Sequence, residues 1–230
     1  MSTHASVAIE DGIATITLDD GKANAFGFAM MEAINACLDE AEEKADVIVL
    51  TGRPGITCAG FDLKVMRETP KEASKMVKLG GELLLRLFAT PKPLIIAASG
   101  HGIAAGGLLM LTSDYRIGLQ GDARFGLNES AIGMVLPPFG IELARFKLDN
   151  RKLDASAVNA ELFLPDAAID VGFLDEVCTE ADFAARVSEK AKQLQELDSR
   201  AFAGNKKLIR GATIEKIAAG LQSGDGMQVV

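Results

Sequence analysis

Cysteine is scarce in this 230-residue chain: Cys37, Cys58 and Cys178 are the only three, and they lie far apart. An odd number of distant cysteines with no CxxC motif argues against a disulfide framework and a structural zinc site. The first residues also lack the basic and apolar regions of a secretory signal. We therefore expect a cytoplasmic protein that holds no metal.

Aromatic side chains and positive charge are also in short supply. Aromatic residues make up 5% of the chain, Trp is absent, and 32 acidic residues outnumber 24 Lys and Arg, for a formal net charge of −8. Such a charge repels a phosphate backbone, and few rings are available to stack on bases. The composition therefore predicts no nucleic-acid partner.

The longest uncharged stretch, residues 93–113, is long enough to cross a bilayer. Four glycines divide it into a strand-like half and a helix-like half, which is the pattern of a buried strand, loop and helix. We therefore predict no membrane contact. With 48% hydrophobic residues, the chain can bury a sizeable core.

Hydrophobic periodicity alternates between strands and helices. Strands are predicted at 7–10, 13–18, 47–50, 94–98 and 115–118, and helices at 28–43, 62–67, a longer segment ending near 88, and 105–111. This alternation predicts a mostly parallel α/β core over residues 1–180. Helical stripes at 183–194 and 208–221 predict a helical C-terminal region, residues 181–230, for packing or oligomerisation.

A glycine pattern at Gly100, Gly102 and Ala105 follows a strand and opens a helix, as in a dinucleotide-binding fingerprint. Asp122 lies at about the expected distance, but it follows a Gln-Gly turn rather than a strand. The alternative is geometrical, because small residues let a ligand approach free N–H groups at a helix N-terminus, where negative charge is stabilised. The loop 58–62 also leads into a helix and supplies a second set of such groups.

Three motifs together resemble the crotonase, or enoyl-CoA hydratase/isomerase, superfamily. They are TCAGFDLK at 57–64, SGHGIAAGG at 99–107 and FGLNE at 125–129, with the family's order and spacing. The resemblance implies a spiral core of ββα turns, an acyl-CoA thioester substrate, and no separate cofactor, because coenzyme A is part of the substrate. It also implies a homotrimer or a dimer of trimers.

The resemblance implies roles for individual residues when the family's site positions are carried over to this sequence. The backbone amides of Phe61 and Ala105 would form an oxyanion hole for the thioester carbonyl. Lys64 has the alternative of being an ordinary solvated helix residue. The predicted substrate-binding residues are Ala59, Gly60, Asp62, Leu63, Lys64, Gly106, Leu108 and Asn128.

The family has two catalytic glutamate positions, of which this chain keeps Glu129 and replaces the other with Leu108. Hydration uses two carboxylates to hold water, whereas moving a double bond needs a single base. The sequence around Glu129 also resembles that of the Δ3,Δ2-enoyl-CoA isomerase branch, so isomerisation is the preferred prediction. The alternatives are a hydratase with a substitute water-holder and a non-catalytic acyl-CoA-binding protein in which Glu129 caps a helix.

Four further polar residues have both a functional and a structural interpretation. His101 is either catalytic or a loop histidine bonded to backbone, and the absence of a Ser-His-Asp order favours the second. Cys58 is either a nucleophile or a small buried thiol. Lys206 and Lys207 either reach the phosphates of coenzyme A or lie on a solvated helix face, which we favour.

Overall fold

A computed structural model describes residues 4–224. The chain begins with an antiparallel hairpin of β1 (Ala5–Glu10) and β2 (Ile13–Leu18). Asp11 and Gly12 both have positive φ, as the Asp-Gly dipeptide of a tight hairpin turn predicts. Alternate residues of β2 are buried, so one face of this strand packs on the core.

The other strands and the helices follow in alternation. The strands are β3 (Val47–Thr51), β4 (Gly55–Cys58), β5 (Leu94–Ala98), β6 (Gly100–Ile103), β7 (Tyr115–Leu119), β8 (Phe125–Gly126) and β9 (Glu176–Cys178). The helices are α1 (Phe28–Lys44), α2 (Leu63–Glu68), α3 (Pro70–Ala89), α4 (Ala105–Thr112), α5 (Pro138–Lys147), α6 (Leu153–Ala157), α7 (Pro165–Val171), α8 (Glu180–Gln195) and α9 (Ser199–Ser223). The predicted strands and helices of the first half are therefore confirmed to within a few residues.

Two sheets run side by side through the core. The larger has the order β1-β2-β3-β5-β7-β9, parallel from β2 onward, and the smaller has the order β4-β6-β8. The chain places one strand in each sheet and then returns through a helix, as in β3-β4-α2 and β5-β6-α4. This is the predicted α/β spiral of ββα turns.

The small sheet was not predicted, because its strands are short and rich in glycine. Gly55 begins β4 and pairs with Gly100 of β6. A Cβ on Gly100 would lie 1.9 Å from the carbonyl carbon of Gly55. Glycine is therefore needed for the two backbones to approach, and the same glycines remove the side-chain alternation by which strands are recognised.

Two C-terminal helices cover different faces of the core. Ala191 of α8 packs on Val47, Val49, Ile95 and Ala97, so both faces of the central parallel strands are buried. Helix α9 lies against α3 and α5. It begins at Ser199, nine residues before the predicted start, because the Asp198 carboxylate accepts the Ala201 amide at 2.8 Å and caps the helix. Residues 225–230 of the predicted C-terminal region lie outside the described residues.

A buried ion cluster attaches α9 to the core. The Asp114 carboxylate accepts Lys206 Nζ and an Arg210 guanidinium N–H, both at 2.6 Å. Arg210 also donates to the carbonyls of Phe88, Thr112 and Ser113, where α3 and α4 end. The prediction that Lys206 lies on a solvated face is therefore wrong, because helical spacing places it over the Asp114 carboxylate, whereas Lys207 is exposed.

No helix within residues 4–224 is both long and apolar enough to span a membrane. The uncharged stretch 93–113 is divided among β5, β6 and α4, and most of it is buried.

Candidate active site

Two loops meet where α2 and α4 begin. Gly60 has a φ of +110°, and a Cβ added to it would lie 3.0 Å from the Ala104 Cβ and 3.7 Å from the Ala105 amide nitrogen. A Cβ on Gly106 would lie 2.0 Å from the Cys58 carbonyl oxygen. Glycine at both positions lets the loop after β4 lie directly against the N-terminus of α4.

The amides of Phe61 and Ala105 donate no hydrogen bond to protein within residues 4–224. Phe61 pairs with Phe26 in a parallel bridge whose two hydrogen bonds are made by Gly60 and Asp62, the residues on either side of Phe61. The N–H of Phe61 itself therefore points away from Phe26. The Phe61 ring turns inward, edge-on to Phe26, and occupies the space that a side chain on Gly80 would need. Ala105 begins α4, where the first N–H groups have no acceptor in the helix.

The residue before α4 has an unusual backbone. Ala104 has φ 54° and ψ −121°, a region that residues other than glycine seldom occupy and that costs about 1–3 kcal/mol. Its amide donates to the Gly126 carbonyl and its carbonyl accepts the Leu108 amide, both at 2.9 Å. These two bonds hold the turn that presents the Ala105 amide.

Asn24 is a positioning residue that sequence reasoning missed, because it lies in an early polar loop. It is fully buried, and its side-chain amide donates to the carbonyls of Leu18 at 3.0 Å and Thr57 at 3.3 Å. Its Oδ1 accepts the amide of Asp20 at 3.0 Å. Asn24 therefore ties the end of β2 to the strand that carries the first loop.

Glu129 begins a short 3-10 turn, Glu129–Ile132, and is only 6% exposed. Its Oε2 is buried and has no hydrogen-bond partner within residues 4–224. Burial raises the pKa of Glu129 to about 7 from its ordinary 4.5, against a smaller lowering by a bond from its own backbone. A carboxyl with such a pKa is half ionised near neutral pH, which suits a group that takes up and returns a proton.

Helix α4 packs closely against the segment that leads to Glu129. A Cβ on Gly107 would lie 2.5 Å from the Gly126 carbonyl oxygen, and Gly126 accepts the Ala104 amide. Leu108, one residue further along α4, is fully buried, and its Cδ1 would lie 3.1 Å from a Cβ on Gly140 of α5. Leu108 therefore places an apolar side chain between α4 and α5.

The predicted substrate-binding residues of the first loop lie together at the start of α2. Asp62 caps this helix, since its carboxylate accepts the Lys64 amide at 2.8 Å. Ala59, Leu63 and Lys64 are exposed. Asn128, beside Glu129, has a buried Oδ1 with no partner in the described chain. These positions are compatible with substrate contact, and their roles stay predictions.

His101 and Cys58 have structural roles. His101 lies in β6 rather than in a loop, and its Nδ1 accepts the Arg124 amide at 3.0 Å, so the predicted bond to backbone is confirmed. Cys58 is fully buried, and burial raises its pKa to about 12, which keeps it a thiol and a poor nucleophile. No cluster of three or more His, Cys, Asp or Glu placed to hold a metal occurs within residues 4–224.

Comparison with known proteins identifies the family. Residues 8–228 match the enoyl-CoA hydratase/isomerase family. The chain belongs to this family. The predicted membership of the crotonase superfamily is therefore confirmed, as is the prediction of an enzyme of this family.

The relatives of this enoyl-CoA hydratase/isomerase family member include proteins named for either reaction. The chain is 28% identical to enoyl-CoA delta isomerase 1, mitochondrial, of Rattus norvegicus, over 90% of this chain and 74% of that protein. It is 29% identical to a probable enoyl-CoA hydratase of Bacillus subtilis, over 82% and 73%. An enoyl-CoA hydratase/isomerase family structure from Pseudomonas syringae superposes with a TM-score of 0.94 at 38% identity, covering 96% of each chain.

Proposed function

We propose that this protein isomerises enoyl-CoA thioesters and uses Glu129 as the single acid/base. The double bond would move from between C3 and C4 to between C2 and C3. The observation that carries the proposal is the unpartnered, buried carboxyl of Glu129, in a chain that has the apolar Leu108 at the position of the family's other glutamate. One proton-transferring group is sufficient for isomerisation, whereas the second group that hydration uses in the family is missing.

The proposed reaction has two proton transfers. The ionised Glu129 removes a proton from C2 of a 3-enoyl-CoA, and the electrons move into the thioester carbonyl to give a dienolate. The Phe61 and Ala105 amides would donate to the developing oxyanion, and one such donor is typically worth about 3–4 kcal/mol. Protonated Glu129 then returns the proton to C4, which leaves the double bond between C2 and C3 and the carboxylate restored.

Backbone donors suit this role because they are already oriented. The free amides of two loops that touch through Gly60 and Gly106 need no rearrangement when charge develops on the substrate. A low dielectric around the thioester carbonyl would strengthen both donor contacts. Burial raises the pKa of Glu129 to about 7, which suits this carboxyl to transfer a proton near neutral pH.

Two alternatives remain as outcomes of the test. A 2-enoyl-CoA hydratase would need another polar group to hold water in place of Leu108, and the buried Asn128 Oδ1 is the unpartnered polar atom nearest to Glu129 in sequence. A non-catalytic acyl-CoA-binding protein would use the amides alone.

The test is to incubate the purified protein separately with 3-enoyl-CoA and 2-enoyl-CoA and to follow both products by chromatography. We expect conversion of 3-enoyl-CoA to 2-enoyl-CoA and at least tenfold slower formation of 3-hydroxyacyl-CoA. Fast hydration without isomerisation would select the hydratase, and tight binding without either product would select the binding protein.

The pH dependence of kcat/KM gives a second prediction. Because Glu129 must be ionised to remove the first proton and its pKa is about 7, kcat/KM should be constant above pH 8. It should fall about tenfold per pH unit below pH 6. Stopped assays over pH 5–9 measure this profile, and a profile flat down to pH 5 would exclude Glu129 as the base.

Three features of the assembled enzyme belong to the same proposal. We propose a cytoplasmic homotrimer or dimer of trimers that needs no cofactor apart from the coenzyme A of its substrate. Support for an assembly comes from Leu208 on α9, an apolar side chain that is 83% exposed.

A further inference from the structure

A cavity lies between the end of α5 and the first half of α9, away from the loops that carry Phe61 and Ala105. Its volume is about 410 Å³, within the range of small-molecule sites. Cationic groups form one side, and apolar side chains form the other. The lining includes Lys147, Lys206, Arg210, Phe146, Phe202 and Ile209.

Positive charge exceeds negative charge around this cavity. Four cations, on β7 (Arg116), α5 (Lys147) and α9 (Lys206 and Arg210), interact with two carboxylates, Asp114 before β7 and Asp175 before β9. Asp198, which caps α9 through the Ala201 amide, also borders the cavity and adds a third carboxylate, so four cations still face only three. The cluster is therefore short of negative charge.

Three of the four cations already have partners. Arg116 donates twice to Asp175, with both distances 2.7 Å. Lys206 Nζ donates to Asp114 and to the Lys92 carbonyl. Arg210 donates to Asp114 and to carbonyls at the ends of α3 and α4.

Lys147 is different, because its ammonium makes no hydrogen bond or ion pair within residues 4–224. Its one close electron-rich neighbour is the Phe146 ring, 5.9 Å from Nζ. Burial, together with the charges of Arg116 and Arg210, lowers the pKa of Lys147 to about 7. An anion beside Nζ would accept hydrogen bonds from the three unused N–H groups of Lys147. It would also offset the repulsion between this ammonium and the neighbouring positive charges.

We infer that this cavity binds a small amphiphilic carboxylate, whose anionic head pairs with Lys147 and whose apolar body packs on the walls. Ile209 and Leu197 at the rim are 69% and 49% exposed, so apolar surface is available beyond the head. A hydrated phosphate would leave these walls uncovered, whereas a carboxylate with an aliphatic chain covers them. This site is independent of the proposed isomerase reaction.

The test uses sodium octanoate and isothermal titration calorimetry on the full chain. We expect saturable one-site binding at pH 6 that becomes about tenfold weaker at pH 8. Lys147, with a pKa of about 7, loses its proton between these values, and Lys206, whose pKa burial lowers to about 8, loses it in part. Lys147→Met should lose at least tenfold in affinity, Lys147→Arg should keep it, and the exposed-site control Lys207→Met should match wild type. Inorganic phosphate and octanol should each bind at least tenfold more weakly than octanoate.

Three results would overturn the inference. If Lys147→Met binds octanoate as tightly as wild type does, Lys147 does not hold the carboxylate. Equal affinity for octanol would make the cavity a merely apolar groove. Displacement of octanoate by coenzyme A would place it in the thioester site instead. Activity of Lys147→Met toward enoyl-CoA should equal wild type, so loss of octanoate binding is separable from failure of the proposed reaction.

Discussion

Replacing Glu129 with Gln should abolish enoyl-CoA isomerisation while leaving acyl-CoA binding intact. Gln has nearly the same shape but cannot accept the C2 proton, and a positioned acid/base contributes about 10²- to 10⁴-fold. We expect kcat to fall by at least 10²-fold, with the dissociation constant of a non-reactive acyl-CoA changed less than threefold. Steady-state assays and calorimetry measure the two quantities.

A measurement of stability against pH distinguishes a catalytic Glu129 from a Glu129 that only caps the 3-10 turn. The folded-state pKa of Glu129, about 7, lies above its ordinary 4.5, so the folded protein binds this proton more tightly than the unfolded chain. The resulting contribution to stability is fully present below pH 4.5 and is lost as the pH rises through 7, a cost of about 3 kcal/mol for the ionised group. Glu129→Gln should therefore be more stable than wild type at pH 8.

The control for this variant is Glu161→Gln, which makes the same chemical change at an exposed carboxyl. It should retain wild-type turnover and the wild-type change of stability with pH. Full activity in Glu129→Gln would refute the proposed acid/base. A variant less stable than wild type at pH 8 would instead indicate that Glu129 serves to cap the 3-10 turn.

Replacing Asp114 with Asn should cause a large loss of stability. The substitution keeps the side-chain shape but leaves the buried charges of Lys206 and Arg210 without their shared carboxylate. Breaking such a buried ion cluster typically costs about 3–5 kcal/mol. Urea unfolding followed by circular dichroism should show a correspondingly lower midpoint.

The matched control is Glu40→Gln, which removes one partner of the exposed pair with Lys44. Exposed pairs spaced four residues apart on a helix contribute about 0.3–0.5 kcal/mol, so its midpoint should barely move. If the two variants unfold at the same urea concentration, the ion cluster does not anchor α9.

A candidate site could be proposed from the sequence because its motifs are contiguous. The two glycine loops and Glu129 each fall within a short segment whose residue types match the family pattern. Asn24 could not be found in this way, because its bonds to Leu18 and Thr57 depend on the tertiary fold. The strained backbone of Ala104 was also unpredictable, since alanine carries no signal for positive φ.

The fold shows the same division between local and long-range causes. Parallel strands such as β3 are visible as apolar runs, whereas β6, with two glycines in four residues, exists only because its neighbours pair with it. The burial of Lys206 likewise depends on Asp114, which is 92 residues away. No periodicity within α9 distinguishes Lys206 from the exposed Lys207.

The contact between the two loops through Gly60 and Gly106 has a consequence for how this protein can vary. Where the donors are main-chain groups, proline is the only replacement that deletes one, and even an added methyl group at either glycine would force the loops apart. Tolerance to mutation in this region should therefore follow the size of the new side chain more closely than its chemistry.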